Sequence, residues 1–266
     1  MKIFLKTEDE IELLRQSNLL VGRTLAEVAK LIKPGVTTAE LDRVAEEFIR
    51  DNGAVPTFKG FPNPNGAPFP CTLCTSVNAQ VVHGIPGKTL LQEGDIVSID
   101  CGVLMNGFCG DSAYTFCVGE VSSEIKQLLK VTKDALYLGI QNAVHGKRLG
   151  DIGYAVQQSC ESVGYGVVRE FVGHGIGKEM HEDPQVPNYG RRGTGSLLKS
   201  GMCLAIEPMI TMGTRQIYLE DDGWSVRTRD GKCAAHFEHT VAVRRGKADI
   251  LSSFEFIEEV LGDKAI

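Results

Sequence analysis

The stretch 95-DIVSIDCGVLMNGFCGDSAYTFCVG-119 indicates the fold more strongly than any other part of this chain. It contains Asn106-Gly107, a dipeptide typical of a two-residue hairpin turn, between two runs of β-forming residues. With these residues in the turn, Gly102 pairs with Asp111, and Asp100 lies on the same face of its strand as Gly102. The pattern therefore predicts a β-hairpin in which two carboxylates are diagonal neighbours, roughly 7–8 Å apart.

These two carboxylates need a positive partner. Asp100 follows the apolar run IVSI and is expected to be buried, and a buried carboxylate must be paired, protonated or bound to a metal. Asp111 would repel it unless a cation lies between them. A lysine or arginine from elsewhere in the chain would serve as well as a metal ion, so the hairpin alone leaves both alternatives open.

Two helical patterns precede the hairpin and two follow it. Thr7 with Glu10, and Thr37 with Glu40, form capping-box patterns, which predict that a helix begins at each place. The helical pattern returns after the hairpin, at 123–145 and 150–163. Further β-type stretches follow, so the order helix, helix, strands occurs twice.

An internal repeat relates these two sets of elements. LLQEGDIVSID (90–100) matches LLKSGMCLAIE (197–207), which aligns Asp100 with Glu207. A weaker match relates KPGVTTAELDRVAEEFIRDNG to VHGKRLGDIGYAVQQSCESVG, at the second helix of each set. Chance similarity between two strand-and-turn patterns is the alternative explanation.

A third match contains two histidines. VVHGI matches VGHGI, which aligns His83 with His174. The match of 81–85 to 172–176 and the match of 90–100 to 197–207 occur in the same order in both sets, and each contains candidate ligands. We therefore expect a single domain, 1–266, with similar halves at approximately 1–120 and 121–252 and a site at their junction.

Four carboxylates are then expected to converge at that junction. Glu207 ends the apolar run LAIE, and Glu238 lies in HFEHTVAV, a predicted strand placed like the one that carries Asp111. Four buried negative charges would be prohibitive without cations, whereas two divalent ions would balance them if His174 binds as neutral imidazole. Oxygen-rich ligands with one imidazole suit Mn, Fe or Co and do not exclude Zn.

Three histidines are candidates for the same cleft. His174 lies between two glycines and recurs in the repeat, which favours a metal ligand over the commoner structural role of a single histidine. His83 and His181 are predicted to face the cleft as hydrogen-bond donors to a substrate. His239 is expected on the opposite face of its strand from Glu238, in a structural role.

Composition and charge exclude several classes of protein. The 266-residue chain has a net charge of −6 and no basic block, unlike a nucleic-acid-binding protein. No apolar run approaches the roughly 18 residues that span a membrane, and the first residues lack a signal-peptide pattern, so we expect a cytoplasmic protein. Its eight cysteines are then expected to be reduced. Cys71 and Cys74 form a CxxC without the second ligand pair of a zinc site, which favours packing or pocket lining.

Several motifs together resemble the methionine aminopeptidases, the smaller members of the pita-bread fold family. They are VVHGIP, SIDCG, GFCGDSAYTF, VGHGIG, MHEDPQVPNYG, LAIEPM and HFEHTVAV, and the resemblance extends from about residue 4 to residue 252. It implies an α+β pita-bread fold, with two pseudo-symmetric helix-helix-strand halves around a central antiparallel sheet. It also implies an aminopeptidase that removes the N-terminal methionine from nascent proteins when the second residue is small, using a water that bridges two divalent metal ions.

The resemblance implies a role for each site residue. His83 would contact the substrate near its amine and scissile bond, and His181 would stabilise the carbonyl oxygen. Glu207 would assist proton transfer from the bridging water, and Asp111 and Glu238 would bridge both metals. The implied metal ligands are Asp100, Asp111, His174, Glu207 and Glu238. The implied substrate-binding residues are His83, His181, Cys74, Trp224, Phe61 and Met180.

The chain departs from the usual pattern of this family at three places. Segment 58–73 is longer than in many bacterial relatives, with Phe61 as the expected pocket aromatic. Met180 stands where many relatives carry an aromatic residue, and His236 is less usual beside the final glutamate. The implied set of metal ligands is nevertheless complete.

The chain resembles the short bacterial form of the family, because only 33 positions separate His174 from Glu207. This form implies a cytoplasmic monomer that acts on nascent N-termini, with ribosome association left open and no membrane or sequence-specific nucleic acid as partner. One rival function is a proline-specific peptidase of the same fold, whose members usually carry an additional N-terminal domain. Another is a binding module that has lost catalysis, whose members typically lose metal ligands.

Overall fold

Helices and strands follow one another in the order expected from the sequence. The computed structural model describes residues 2–64 and 66–266; Asn65, part of the long segment 58–73, lies outside the described residues. The helices are α1 (Glu8–Ala29), α2 (Thr38–Asp51), α3 (Ser123–Ile140), α4 (Leu149–Glu161) and α5 (Glu255–Leu261), followed by a 3₁₀ turn (Gly262–Lys264). The strands are β1 (Val55–Pro56), β2 (Leu73–Val77), β3 (Gln80–Val82), β4 (Ile96–Met105), β5 (Phe108–Cys117), β6 (Gly166–Val167), β7 (Gly173–Gly175), β8 (Glu182–Val186), β9 (Cys203–Ile206), β10 (Met209–Thr211), β11 (Ile217–Leu219), β12 (Val226–Thr228), β13 (Ala234–His236), β14 (His239–Ala242) and β15 (Asp249–Ile250).

Both capping-box patterns begin a helix. At α1, the N–H of Glu10 donates to Thr7 Oγ1 at 3.3 Å, and the N–H of Thr7 donates to Glu10 Oε2 at 2.9 Å. At α2, the N–H of Glu40 donates to Thr37 Oγ1 at 3.2 Å. Each threonine thereby satisfies an N–H group that the helix itself leaves without a partner.

The central hairpin has the predicted register. β4 and β5 pair antiparallel, with Gly102 opposite Asp111. Asn106 and Gly107 form the turn with φ angles of 53° and 76°, positive values that a type I′ turn requires at both central residues. Asp100 and Asp111 therefore lie on one face of the hairpin.

The corresponding pair of strands in the second half is interrupted at its middle. β9 pairs with β14 and β10 with β13, and the breaks fall at Glu207-Pro208 and Phe237-Glu238. Pro208 has no N–H to donate to the ladder, and the N–H of Glu238 donates instead to the Ala113 carbonyl of β5 at 2.9 Å. Glu238, predicted to lie within a strand, therefore follows the end of β13. The antiparallel strands are divided among four sheets in the described part of the chain.

The two halves repeat their connections as well as their elements. Thr37, which precedes α2, forms an antiparallel bridge with Leu90. Arg148, which precedes α4, forms the equivalent bridge with Leu197. Leu90 and Leu197 begin the two matched stretches, so the repeat in the sequence corresponds to a repeat in the structure.

Buried hydrogen bonds join the halves where the carboxylates meet. Ser112 Oγ donates to the Glu238 carbonyl at 2.7 Å, and Thr240 Oγ1 donates to the Asp111 carbonyl at 2.9 Å. Packing and satisfied hydrogen bonds thus fix the backbone on both sides of the junction. One hydrophobic cluster draws side chains from both halves, among them Leu20, Val97, Tyr114, Leu136, Ile206 and Phe237. Of the helices within residues 2–64 and 66–266, none has both the length and the apolar character needed to cross a bilayer.

Candidate metal centre

A cavity of about 420 Å³ opens at the junction. One wall carries carboxylates and imidazoles, and the other carries aromatic rings. Every residue predicted for the site lines this cavity except Met180. The lining residues are Phe58, Phe61, Phe69, Cys74, His83, Asp100, Asp111, His174, His181, Glu207, Trp224 and Glu238.

Carboxylates from both halves meet one imidazole on the polar wall. Asp111, His174 and Glu238 each offer one ligand atom, and these atoms lie within 4.8 Å of one another. His174 Nε2 is 3.6 Å from Asp111 Oδ2 and 3.6 Å from Glu207 Oε1. Metal–ligand bonds of about 2.0–2.2 Å place neighbouring ligand atoms about 3–3.6 Å apart, so these separations suit ligands that share an ion.

Backbone contacts fix the orientation of His174. A carbonyl can only accept, so Nδ1–H donates to the Gly175 carbonyl at 2.9 Å and leaves the Nε2 lone pair directed at the carboxylates. A Cβ at Gly173 would lie 2.3 Å from the Ala205 carbonyl oxygen, and one at Gly175 would lie 2.3 Å from that of Asp183. The two glycines therefore allow β7 to pass closely between β8 and β9.

Burial perturbs all four carboxyl groups. Burial raises the pKa of Asp111 to about 8. Burial, reinforced by neighbouring carboxylate charge, raises the pKa of Asp100, Glu207 and Glu238 well above the usual range. Within residues 2–64 and 66–266, three buried oxygens of these groups have no hydrogen-bond partner, namely Asp100 Oδ1, Asp111 Oδ1 and Glu238 Oε1. These three oxygens could each accept a donor or bind a cation.

A divalent metal fits this set of donors. Among the described residues, histidines approach these carboxylates, and no lysine or arginine forms an ion pair with them. The lysine or arginine alternative left open by the sequence is therefore excluded for that part of the chain. Carboxylate oxygens with one neutral imidazole are ligands that several divalent metals accept, and a cation would give the orphaned oxygens a partner.

Two further imidazoles face the cavity. His83 adopts a φ of 60°, which is uncommon for a residue other than glycine. Its ring packs edge-on against Phe171 and Trp224, with centroids 5.2 and 6.4 Å away, and burial lowers its pKa to about 4. His181 lies at the exposed rim, 4.3 Å from the ring of His174 between centroids. Partial burial and the neighbouring His174 lower the pKa of His181 as well.

The aromatic wall depends on the long segment. Trp224 Nε1 donates to the Ala67 carbonyl at 3.0 Å, and its ring packs edge-on against Phe69 at 5.2 Å between centroids. Phe61 packs in the same way against His181, also at 5.2 Å. The segment thereby reaches from the first half to the turn that carries Trp224 and closes the apolar end of the cavity.

The CxxC pair is unsuited to redox chemistry. Cys74 lines the cavity, and burial raises the pKa of its thiol well above the ordinary value. Cys71 Sγ faces the Pro86 carbonyl, and burial raises the pKa of that thiol to about 11. Reactive cysteines have a lowered pKa, so both residues serve packing or pocket lining. All eight cysteines lie in the described ranges and are free of disulfides.

Met180 lies outside the cavity. It is buried in a cluster with Ile11 and Phe108. Its Cε occupies space beside the hairpin, because a Cβ added to Gly102 would lie 2.5 Å from it. Met180 therefore packs against the hairpin, whereas the neighbouring His181 lines the cavity.

Some residues that line the cavity or lie directly behind its wall were not predicted. His236 is 1% exposed, and its Nε2 is buried 3.7 Å from Glu207 Oε2, without a hydrogen-bond partner among the described residues. Its position two residues before Glu238 is the signal that could have located it, since alternate residues of an extended chain share a face. Phe58 and Phe69 also line the cavity, and the density of phenylalanine in their segment was the corresponding signal.

The chain is similar to proteins of one family over nearly its whole length. The model of metallopeptidase family M24 matches residues 12–245. A methionine aminopeptidase of Clostridium acetobutylicum is 52% identical over 254 residues, covering 95% of this chain and 100% of that protein. Methionine aminopeptidase 1 of Bacillus subtilis is 49% identical over 250 residues, covering 94% and 99%. The crystal structure of methionine aminopeptidase from Rickettsia prowazekii matches with a TM-score of 0.90 at 41% identity, covering 95% of this chain and 100% of that chain.

Proposed function

Because this chain belongs to metallopeptidase family M24, we propose that its cavity removes the N-terminal methionine from polypeptides whose second residue is small. The chain is a metal-dependent aminopeptidase of the methionine aminopeptidase type. The α+β pita-bread fold expected from the sequence is confirmed, with two helix-helix-strand halves. Substrate choice and the role of each residue are the parts that we propose.

The carboxylate and imidazole donors carry the proposal. Two divalent ions would balance the four carboxylates, and we propose that Asp100, Asp111, His174, Glu207 and Glu238 would hold them. Bound there, the ions supply Lewis acidity that lowers the pKa of a water molecule and polarises the scissile carbonyl. Mn, Fe, Co and Zn all accept such ligands.

Glu207 is the proposed proton carrier. Its Oε1 faces His174 and its Oε2 faces His236. A carboxylate at this position can take a proton from the attacking water and return it to the leaving amine.

The two remaining imidazoles are proposed to bind the substrate as neutral donors. The pKa values of His83 and His181 are lowered to about 4 by burial, so both rings are uncharged at neutral pH and each keeps one N–H. We place His83 beside the substrate amine and scissile bond. We place His181 beside the carbonyl oxygen, where negative charge develops during attack.

The apolar end of the cavity suits a methionine side chain. Cys74, Phe61 and Trp224 present sulfur and aromatic surface there. An unbranched, polarizable thioether makes favourable contacts with such surfaces. Met180 packs beside Gly102, on the hairpin face that carries Asp100 and Asp111, and we propose that it supports the ligands there.

The setting of the reaction is also a proposal. Aminopeptidases act on polypeptide N-termini, and we propose that the substrates are nascent chains and that the enzyme acts as a monomer. Eight unpaired thiols suit the reducing cytoplasm. The exposed pair Arg191-Arg192 is the proposed point of contact if the enzyme associates with the ribosome.

Release of free methionine from a Met-Ala-Ser peptide tests the function. Metal-stripped protein is assayed with Mn, Fe, Co or Zn restored, beside a Xaa-Pro peptide. Metal-dependent methionine release with the Xaa-Pro peptide intact is the expected result. Cleavage of the Xaa-Pro peptide alone would assign the chain to the proline peptidases, and no cleavage by folded protein with any metal would favour a binding module.

A further inference from the structure

His236 lies directly behind Glu207 and outside the cavity. Its ring is buried, and Nε2 has neither solvent contact nor a hydrogen-bond partner in the part of the chain that the structure describes. The nearest acidic atom is Glu207 Oε2, at 3.7 Å. Leaving a buried polar atom unsatisfied costs about 1–3 kcal/mol, so this pairing requires an explanation.

The backbone of His236 is held in place by a single hydroxyl group. The N–H of His236 donates to Thr115 Oγ1 at 3.0 Å, and Thr115 Oγ1 lies 2.7 Å from the His236 carbonyl that it donates to. Ser98 Oγ lies 2.9 Å from the same Thr115 hydroxyl. The ring of His236 therefore projects from a fixed position on β13.

The side chain of Glu207 has room to move, whereas that of His236 does not. Its side chain is 14% exposed on the cavity side, whereas that of His236 is 1% exposed. A separation of 3.7 Å exceeds the 2.7–3.2 Å range of N–H···O hydrogen bonds, but a displacement of the carboxylate by less than about 1 Å would close it. Hydrogen bonds to catalytic groups are often long in the unloaded site and shorten when it is filled.

We propose that His236 is a positioning residue for Glu207, donating Nε2–H to Glu207 Oε2 and thereby directing Oε1 at the metal ligands. This inference rests on the proposed metal centre and extends it by one contact. Partners of ligating carboxylates fix the orientation of the ligand and strengthen metal binding.

Two substitutions of His236 separate the hydrogen bond from the imidazole itself. The amide nitrogen of glutamine reaches about as far as Nε2 of histidine, whereas that of asparagine reaches only as far as Nδ1. His236→Gln therefore keeps a donor within reach of Glu207, and His236→Asn does not. Both replacements are polar and smaller than or similar to histidine, so neither overpacks the site.

Mn(II) binding to the stripped proteins, measured by isothermal titration calorimetry, is the test. We expect His236→Asn to raise the Kd by about 10- to 100-fold and His236→Gln to stay close to the unsubstituted protein. The Co(II) absorption spectrum should change with asparagine and be restored with glutamine. In turnover, asparagine should lower kcat more than it changes KM.

A second buried histidine provides the matched control. His239 is 2% exposed, lies 2.6 Å from Ser252 Oγ through Nδ1 and stacks on Phe254. His239→Asn should lower Tm but leave Mn(II) affinity unchanged.

Three results would overturn the inference. They are an unchanged Mn(II) affinity in His236→Asn, an equal loss of Mn(II) affinity in both His236 variants, and an equal loss of Mn(II) affinity in His239→Asn. Absence of Mn(II) binding by the unsubstituted protein would instead refute the metal centre on which the inference rests.

Discussion

Replacing Asp111 by asparagine is expected to stabilise the metal-free protein and to remove its response to metal. In the metal-free state the Asp111 carboxyl is buried beside Asp100, and one of its oxygens has no partner. An asparagine of nearly the same shape carries no charge and does not titrate. The substitution therefore removes the cost of a buried carboxylate from the metal-free protein, and it also removes a ligand from the metal-bound protein.

The magnitude follows from the pKa of Asp111, 3.8 in the reference state and about 8 in the folded protein. Below the lower value the carboxyl is protonated in both folded and unfolded chains, so it has no effect on stability. Between the two values unfolding releases its proton, and the free energy of unfolding falls by about 1.4 kcal/mol per pH unit. At pH 7 the accumulated loss is on the order of 4 kcal/mol, which Asp111→Asn should recover.

Denaturant unfolding in the presence of a chelator, from about pH 5 to about pH 8, measures this difference. The variant should exceed the unsubstituted protein in stability by an amount that grows with pH. Saturating Mn(II) should stabilise the unsubstituted protein, by about 2.7 kcal/mol at a hundredfold excess over Kd, and the variant far less. Asp134→Asn, an exposed residue paired with Lys130, makes the same charge change and should show no such pH dependence. A stability difference that is the same at both ends of the pH range would refute the reasoning.

Three further substitutions test other contacts. Lys6→Met leaves Glu182 buried without its cation, because the two side chains are only 6% and 9% exposed, and it should lower the free energy of unfolding by about 3–5 kcal/mol. Denaturant titration of Lys6→Met and of Lys6→Arg measures this loss, and equal stability of the two variants would contradict the prediction. His174→Ala should abolish metal-dependent turnover while thermal melting stays cooperative, and activity near that of the unsubstituted protein would rule out His174 as a ligand. Trp224→Phe loses the hydrogen bond to Ala67 and should raise KM for a methionyl peptide about 2- to 10-fold with little change in kcat, as steady-state kinetics would show.

The hairpin that carries Asp100 and Asp111 was fully predictable from the sequence. Its turn needs two residues that tolerate positive φ, and Asn106-Gly107 supplies them within a few positions of the strands that they join. Once the turn is set, the alternation of side chains along a strand fixes which residues share a face. The capping boxes at Thr7 and Thr37 were predictable for the same reason, because a cap contacts only its own helix.

Of the second pair of carboxylates, Glu207 was predicted by alignment to Asp100, and Glu238 by its place on the next long predicted strand; the geometry of the pair was not predicted. Glu207 and Glu238 lie at breaks in their strands, and the break at Glu238 depends on a bond to Ala113 of the other half. No local propensity encodes a partner 125 positions away, as Ala113 is from Glu238. The sequence therefore predicted these residues as ligands without showing how the chain presents them.

The sequence by itself determined the set of reactive groups, and it determined the local turns and helix caps. The tertiary structure alone decided which of these groups face one another. It placed Met180 beside Gly102 and outside the cavity lining, closed the cavity with Phe58 and Phe69, and set His236 behind Glu207. The physical reason is that local structure depends on backbone preferences within a few residues, whereas the direction of a buried side chain is settled by packing against distant parts of the chain.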